Sequence, residues 1–228
     1  MRRRGELAVK AGFDRAAAAV LLCALGPLMA ASACLAAADG GPVFFRQVRV
    51  TQYGRPFVIL KFRTMRPGEG PAVTAGGDAR VTPAGAFLRR HRLDELPQLW
   101  NILRGEMSFV GPRPEVPCFV RCYTPEMKAT LLLPAGITSP AALRFRREEE
   151  LLRRAKDPER LYREKILPEK AKENLRYLWE FSLRGDCKVL WDTLRAMAGG
   201  LCAERAKRGS TCTPPGRRRT GAAEDTVP

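Results

Sequence analysis

The sequence predicts an α+β chain: a small β-hairpin or sheet with surrounding helices, led by a membrane-inserted N-terminal helix. Three observations predict it. Residues 16–38 carry no charge, two β-rich runs flank a glycine-containing turn between Val43 and Thr64, and apolar residues recur at helical spacing from Leu96 onward. With 228 residues there is room for one ordinary domain plus appendages, and not for two enzyme domains with separate cores.

The uncharged segment is bounded by Arg15 and Asp39 and follows Arg2-Arg3-Arg4, and its length is that of a membrane-inserted helix. Gly26-Pro27 stands near its middle. Proline withholds a backbone donor and clashes with the preceding turn, so a kink belongs there. The residues alone leave two readings level: a kinked helix that spans the bilayer, and a helix that enters, breaks and returns to the same face. A secreted lipoprotein is disfavoured. Ala31-Ser32-Ala33-Cys34 outlines a cleavage box, but Ala31 stands where an aliphatic residue belongs, and Glu6 and Asp14 precede the apolar run.

Residues 43–50 and 57–64 read as two strands of a hairpin around Thr51-Gln52-Tyr53-Gly54-Arg55. Arg46, Arg49, Lys61 and Arg63 recur along it, either as a solvated cationic face or as an edge that meets phosphate. Residues 66–80, rich in Gly, Pro and Ala, read as a mobile loop. Thr82-Pro83 starts a short helix through Arg90, with Thr82 as its cap. A second helix is expected from near Asp94 to Gly105, with Leu96, Leu99, Trp100 and Leu103 on one apolar face and Pro97 in the first turn. Asp94 and Glu95 then sit at the positive end of a helix, beside Arg89-Arg90-His91-Arg92. Residues 141–181 read as helical and highly charged. In residues 186–197, Val189, Leu190, Leu194 and Met197 share one side with Trp191 near its edge, which fits a core helix or one lying in a membrane interface. From Ala203 the chain reads as a disordered basic tail, so the expected divisions are residues 1–40, 41–202 and 203–228.

A formal charge of +16 favours anionic partners: phosphates, anionic lipid or nucleic acid. The charged helical region lacks the interleaved aromatics of a nucleic-acid platform. Seven scattered cysteines without a Cys-x-x-Cys pair, and the single histidine His91, argue against a disulfide framework and structural zinc. The thiols read as small apolar filler. One histidine in a cationic run also makes a carboxylate mechanism the better starting point than Ser-His-Asp or Cys-His machinery.

Adjacent carboxylates at a helix start are ordinarily caps. Here their company differs. Transfer of a phosphate group needs cations to offset its charge, a divalent ion held by oxygen ligands, and a nucleophile, and Arg89, Glu95 and Asp94 supply those types close together.

Four motifs occur in order: Lys61-Phe62-Arg63-Thr64-Met65; Leu93-Asp94-Glu95-Leu96-Pro97-Gln98-Leu99-Trp100-Asn101; Met107-Ser108-Phe109-Val110-Gly111-Pro112-Arg113-Pro114; and Gly136-Ile137-Thr138. Over residues 9–197 the chain closely resembles the bacterial sugar transferase family of monotopic phosphoglycosyl transferases, in what looks like their minimal catalytic form. The resemblance implies that Asp94 attacks the β-phosphate of a UDP-sugar, expels UMP and becomes covalently phosphoglycosylated. Polyprenol phosphate then takes the sugar phosphate. It further implies that Glu95 binds Mg2+, that Arg89 binds phosphate, that Pro112-Arg113-Pro114 lies on the nucleotide side, and that Lys61 and Arg63 form a basic strand facing substrate.

The same resemblance favours the re-entrant reading, with both ends cytoplasmic at the bacterial inner membrane. It completes the expected fold class: α+β, a small β-hairpin or sheet with surrounding helices, an N-terminal re-entrant membrane helix and interfacial amphipathic helices. The expected partners are the UDP-sugar donor, the polyprenol phosphate acceptor and membrane lipid, and no nucleic acid. Two departures stand out. Gly26-Pro27 replaces the family's common Ser-Pro, and Ser139-Pro140-Ala141-Ala142 follows Gly136-Ile137-Thr138 where Gly-Trp-Ala-Gln is common, which leaves the sugar open. A basic nucleic-acid-binding or membrane-bound protein without enzymatic activity is the rival reading, and the ordered motifs between 61 and 138 do not fit it.

Overall fold

The computed structural model describes residues 2–66 and 78–209. Residues 1–193 form one compact unit and residues 194–228 a second. The loop expected over 66–80 lies mostly outside the described residues, as does the tail expected from residue 203, except that residues 203–209 are not disordered but continue the helix Leu183–Gly209.

Helix α1 (Arg2–Ala24) and helix α2 (Gly26–Ala37) meet at Leu25 with a bend of 69°. The break falls at Gly26-Pro27, as the sequence predicts. Pro27 has no N–H for the carbonyl four residues back, but the ladder resumes at once: Leu25 N reaches Leu21 O and Met29 N reaches Leu25 O, both at 2.8 Å. No single described helix is long and apolar enough to cross a membrane, and the two pass that test only as a bent pair.

One face of α1 is a core face. Lys10, Asp14 and Ala18 recur every fourth residue and are buried. Ala18 packs with Phe57, Ile59, Leu99 and Ile102. Beneath it Lys10 Nζ donates to Asp186 at 2.5 Å, Ser108 donates to Asp14 at 2.6 Å, and the Tyr177 hydroxyl donates to Asp186. These buried charges are mutually paired, which is the condition under which burial is tolerated. Val9, Phe13 and Val20 face outward.

Strand β1 (Phe44–Val50) pairs antiparallel with β2 (Pro56–Phe62), Phe44 opposite Phe62 and Val50 opposite Pro56. This is the predicted hairpin. Side chains alternate along β2, so Phe57, Ile59 and Lys61 share a face. The first two enter the core beside Leu99 and Ile102, and Lys61 is carried toward the dyad. Phe62 points the other way and packs with Ala36 of α2 and with Leu88.

Helix α3 (Pro83–Arg90) begins where Thr82 Oγ1 accepts from Gly85 N at 2.9 Å, a cap that stabilises a helix by about 1 kcal/mol. The helix expected from Asp94 starts later. Leu93–Glu95 form a 3-10 turn, and α4 spans only Gln98–Leu103. Pro97 accounts for the difference: lacking an N–H, it cannot bond the Leu93 carbonyl, which accepts from Leu96 N at 3.2 Å instead. The apolar face is also rotated. Leu99 and Ile102 are buried while Trp100 is 48% exposed.

The short strands β3 (Ser108–Val110) and β4 (Gly136–Thr138) pair in parallel, an element the sequence reading lacks. The chain leaves β3 through Gly111, which packs against β4 so closely that a Cβ on Gly136 would fall on the Gly111 backbone nitrogen. Helices α5 (Pro117–Arg121) and α6 (Pro125–Lys128) precede β4. The region 141–181, expected to be helical, is helical in four pieces: α7 (Pro140–Arg144), α8 (Glu148–Arg153), α9 (Pro158–Leu161) and α10 (Leu167–Trp179), with a π turn at Tyr162–Ile166. Caps and prolines divide it. Ser139 accepts from Ala142 N, and Asp157 accepts from Arg160 N ahead of Pro158. In α11 (Leu183–Gly209), Val189 is buried in a cluster with Val110, Leu133, Tyr177 and Phe181, and Trp191 is 61% exposed.

Candidate active site

The turn Leu93–Glu95 links α3 to α4 and packs against α3. Arg92 takes a left-handed conformation (φ 57°) at this point and reverses the chain. Leu93 and Leu96 then pack against the cluster of Ala36, Phe62 and Leu88. That anchoring draws Asp94 and Glu95 inward until each is 8% exposed. The arm α2 thus lies directly behind the carboxylate turn.

Glu95 is held from two sides. Lys61 Nζ donates to its Oε1 at 2.9 Å and Arg113 Nη2 donates to the same oxygen at 2.7 Å. Asn101 sets the first approach by bridging α4 to β2: it accepts from Leu60 N at 3.0 Å and donates to Val58 O at 2.8 Å. Arg49 sets the second, donating to Pro114 O at 3.1 Å beside Arg113. Behind that loop Glu115 accepts from the Tyr162 hydroxyl. Asp94 stands in contrast, because its Oδ1 is buried with no hydrogen-bond partner.

The electrostatics divide the pair. Burial, the largest influence on both carboxyls, opposes ionisation. At Glu95, Arg113, Lys61 and Arg92 together overcome it and hold the carboxyl well below the usual range. At Asp94, burial and the neighbouring Glu95 charge prevail over Lys61, Arg92 and Arg89, and the carboxyl is pushed up from 3.8. Burial also pushes the Lys61 ammonium down, against the pull of Glu95.

Of the residues picked out from sequence, the structure gathers Lys61, Asp94, Glu95 and Arg113 into one set. Arg89 reaches Asp94 electrostatically, but its guanidinium is bonded to Glu149 Oε1 at 2.6 Å. Arg63 turns away and donates to Ala36 O at 3.1 Å, tying β2 to the end of α2. Arg92, Asn101, Glu115, Glu149 and Tyr162 were not singled out for the site. Only Arg92 and Asn101 lay within reach of sequence reasoning, by flanking the dyad in the chain.

Among the described residues no group of three His, Cys, Asp or Glu side chains gathers to hold a metal by itself. The dyad nonetheless suits a hard cation that arrives with its substrate. Magnesium takes one or two protein carboxylates and completes its shell with water and phosphate oxygens. Asp94 Oδ1 is an uncommitted acceptor, and Glu95 beside it is held ionised.

A sequence profile described as bacterial sugar transferase matches residues 5–200. The chain belongs to that family. Among the relatives of this sugar transferase, the UDP-glucose:undecaprenyl-phosphate glucose-1-phosphate transferase of Caulobacter vibrioides is 37% identical over 191 residues, 81% of this chain and 67% of the relative. The protein of the same name from Escherichia coli is 32% identical over 82% of this chain and 39% of its own length. The UDP-N-acetylgalactosamine-undecaprenyl-phosphate N-acetylgalactosaminephosphotransferase of Aeromonas hydrophila is 42% identical over 52% of this chain. The match spans 29% of that Aeromonas protein.

Proposed function

We propose that the chain transfers a sugar phosphate from a UDP-sugar to polyprenol phosphate, releasing UMP and initiating a surface polysaccharide or glycoconjugate. The observation that carries this reading is the split dyad, a buried Asp94 oxygen with no partner beside a Glu95 clamped by two cations. The names of the relatives supply the substrate class.

In the first step an Asp94 carboxylate oxygen bonds to the β-phosphorus, the bond from that phosphorus to the bridging oxygen breaks, and UMP leaves with the bridging oxygen. In the second, a phosphate oxygen of the polyprenol phosphate bonds to the same phosphorus, and the Asp94–phosphorus bond breaks to restore the carboxylate. The cations Lys61, Arg89 and Arg113 lower the repulsion between an anionic nucleophile and an anionic diphosphate. Magnesium bound through Glu95 would add charge neutralisation at the diphosphate.

The bent pair of α1 and α2 supports a re-entrant membrane arm. Its outward residues Val9, Phe13, Val20, Leu28 and Leu35 are apolar, and the catalytic unit then lies on the cytoplasmic face of the bacterial inner membrane. The test is UMP release from a panel of UDP-sugars by detergent-purified protein, with and without polyprenol phosphate and magnesium. Release that requires both magnesium and one UDP-sugar is expected. No release from any sugar would overturn the reading.

A further inference from the structure

We propose that Arg92 is a further binding residue of this site, holding a substrate phosphate against Asp94. The inference rests on the transferase reading above and extends it to a residue that reading does not use. It begins from the backbone. Helix α3 ends at Arg90, and Arg92 stands just beyond it in the left-handed region, φ 57° and ψ 18°. Glycine or asparagine ordinarily fills such a position, because a side chain with a Cβ is strained there. A simple helix stop gives no reason for an arginine. Strain of this kind is found where the surroundings hold a side chain in place for binding or chemistry.

The second observation is a comparison of the cations around the dyad. Lys61 and Arg113 are bonded to Glu95, Arg89 to Glu149, and Arg63 to the Ala36 carbonyl. Arg92 is exposed and its guanidinium makes no hydrogen bond or ion pair with a described residue. Its charge nevertheless acts on both Asp94 and Glu95. An exposed guanidinium two residues from a buried carboxylate in the chain, with its donors uncommitted, matches an anion with several acceptor oxygens. Phosphate is that anion, and a planar fork binds it through two parallel bonds.

Two substrates of the proposed reaction carry such a group: the donor, as a diphosphate, and the lipid acceptor, as a monophosphate. Uridine diphosphate is the probe for the first, since its diphosphate is common to every UDP-sugar. Calorimetric titration of the detergent-purified full chain with this probe would compare wild type, Arg92→Gly and Arg92→Lys. Glycine removes the cation and keeps the left-handed turn without strain, so a thermal midpoint no lower than wild type excludes a folding defect.

Loss of one charge-assisted phosphate contact predicts binding about tenfold weaker or more for Arg92→Gly, a smaller loss for Arg92→Lys, and a shallower dependence on salt. In a parallel arm the KM for undecaprenyl phosphate is measured. A rise there with unchanged uridine diphosphate binding assigns Arg92 to the acceptor. Both quantities within twofold of wild type would overturn the proposal and leave the transferase reading standing. Wild-type protein that binds neither substrate would overturn both.

Discussion

Asp94 and Glu95 are adjacent in the chain and opposite in their partners: Glu95 receives Lys61 and Arg113 on one oxygen, while Asp94 keeps a buried oxygen with none. The acid behaviour of the protein follows from this division. In the proposed reaction Asp94 acts ionised, and its carboxyl is raised above 3.8 chiefly by burial and then by Glu95. The pH profile of kcat/KM should therefore lose activity on the acid side at a pH above the ordinary aspartate value. Lys61 opposes that rise, so Lys61→Met should move the acid limb to higher pH. A limb that stays in place would separate Asp94 from the titration. Stability also falls with acid through Glu95, although its carboxyl is shifted in the opposite direction. Its carboxyl is depressed below 4.5, so its contribution is fully present above that value and is lost as pH falls through the folded value. Thermal midpoints of Glu95→Gln should accordingly fall less steeply with acid than those of wild type.

If Arg89 binds the donor as proposed, Glu149 is its competitor, because it holds the Arg89 guanidinium. The pair is 2.6 Å long, but Glu149 is 61% exposed, so the contact is worth at most about 1 kcal/mol to the fold. Glu149→Gln should leave the thermal midpoint within a degree or two of wild type, while freeing Arg89 to lower the KM for the UDP-sugar severalfold. Steady-state kinetics would check it, and an unchanged KM would place Arg89 outside the donor site.

The pairing of Lys10 with Asp186 joins residues far apart in the chain and holds the first half of α1 to the body. Lys10→Met leaves Asp14 and Asp186 buried without their cation, which costs about 3–5 kcal/mol. A lower thermal midpoint is expected, partly restored in the double variant Lys10→Met, Asp186→Asn.

The features legible in the sequence were local ones. Two β-rich runs around a glycine-containing turn exposed the β1–β2 hairpin, Thr82-Pro83 marked the start of α3, Gly26-Pro27 marked the bend, and the cations close to Asp94 and Glu95 marked the candidate site. What stayed hidden depends on distant partners. Strands of three residues, as in β3 and β4, carry too little pattern to announce a parallel pair between segments so far apart. The buried set of Lys10, Asp14, Ser108, Tyr177 and Asp186 draws on four separate elements. Arg89 was recognisable as a cation near the dyad, but its capture by Glu149 requires α8 to fold back over α3. At residues 94–105, helical spacing outweighed Pro97, whose missing donor converts the dyad into a 3-10 turn.

Topology tests the role of the bent arm. Reporter fusions at each end of the wild-type chain should both read cytoplasmic. Replacing Gly26 and Pro27 by leucine restores a continuous helix of the proposed arm and should pull α2 off Phe62, Leu88 and the turn they support. Turnover is expected to fall by tenfold or more as ends separate across the membrane. Wild-type ends on opposite faces would contradict the re-entrant reading.

The most direct test of the central claim is covalent trapping. Purified protein is incubated with a UDP-sugar labelled in the sugar, with magnesium and without polyprenol phosphate, and the denatured chain is assayed for label. The account predicts label on wild type, located by peptide mapping at Asp94 and discharged when polyprenol phosphate is added before denaturation, and none on Asp94→Asn. Label retained at wild-type level on Asp94→Asn would contradict it.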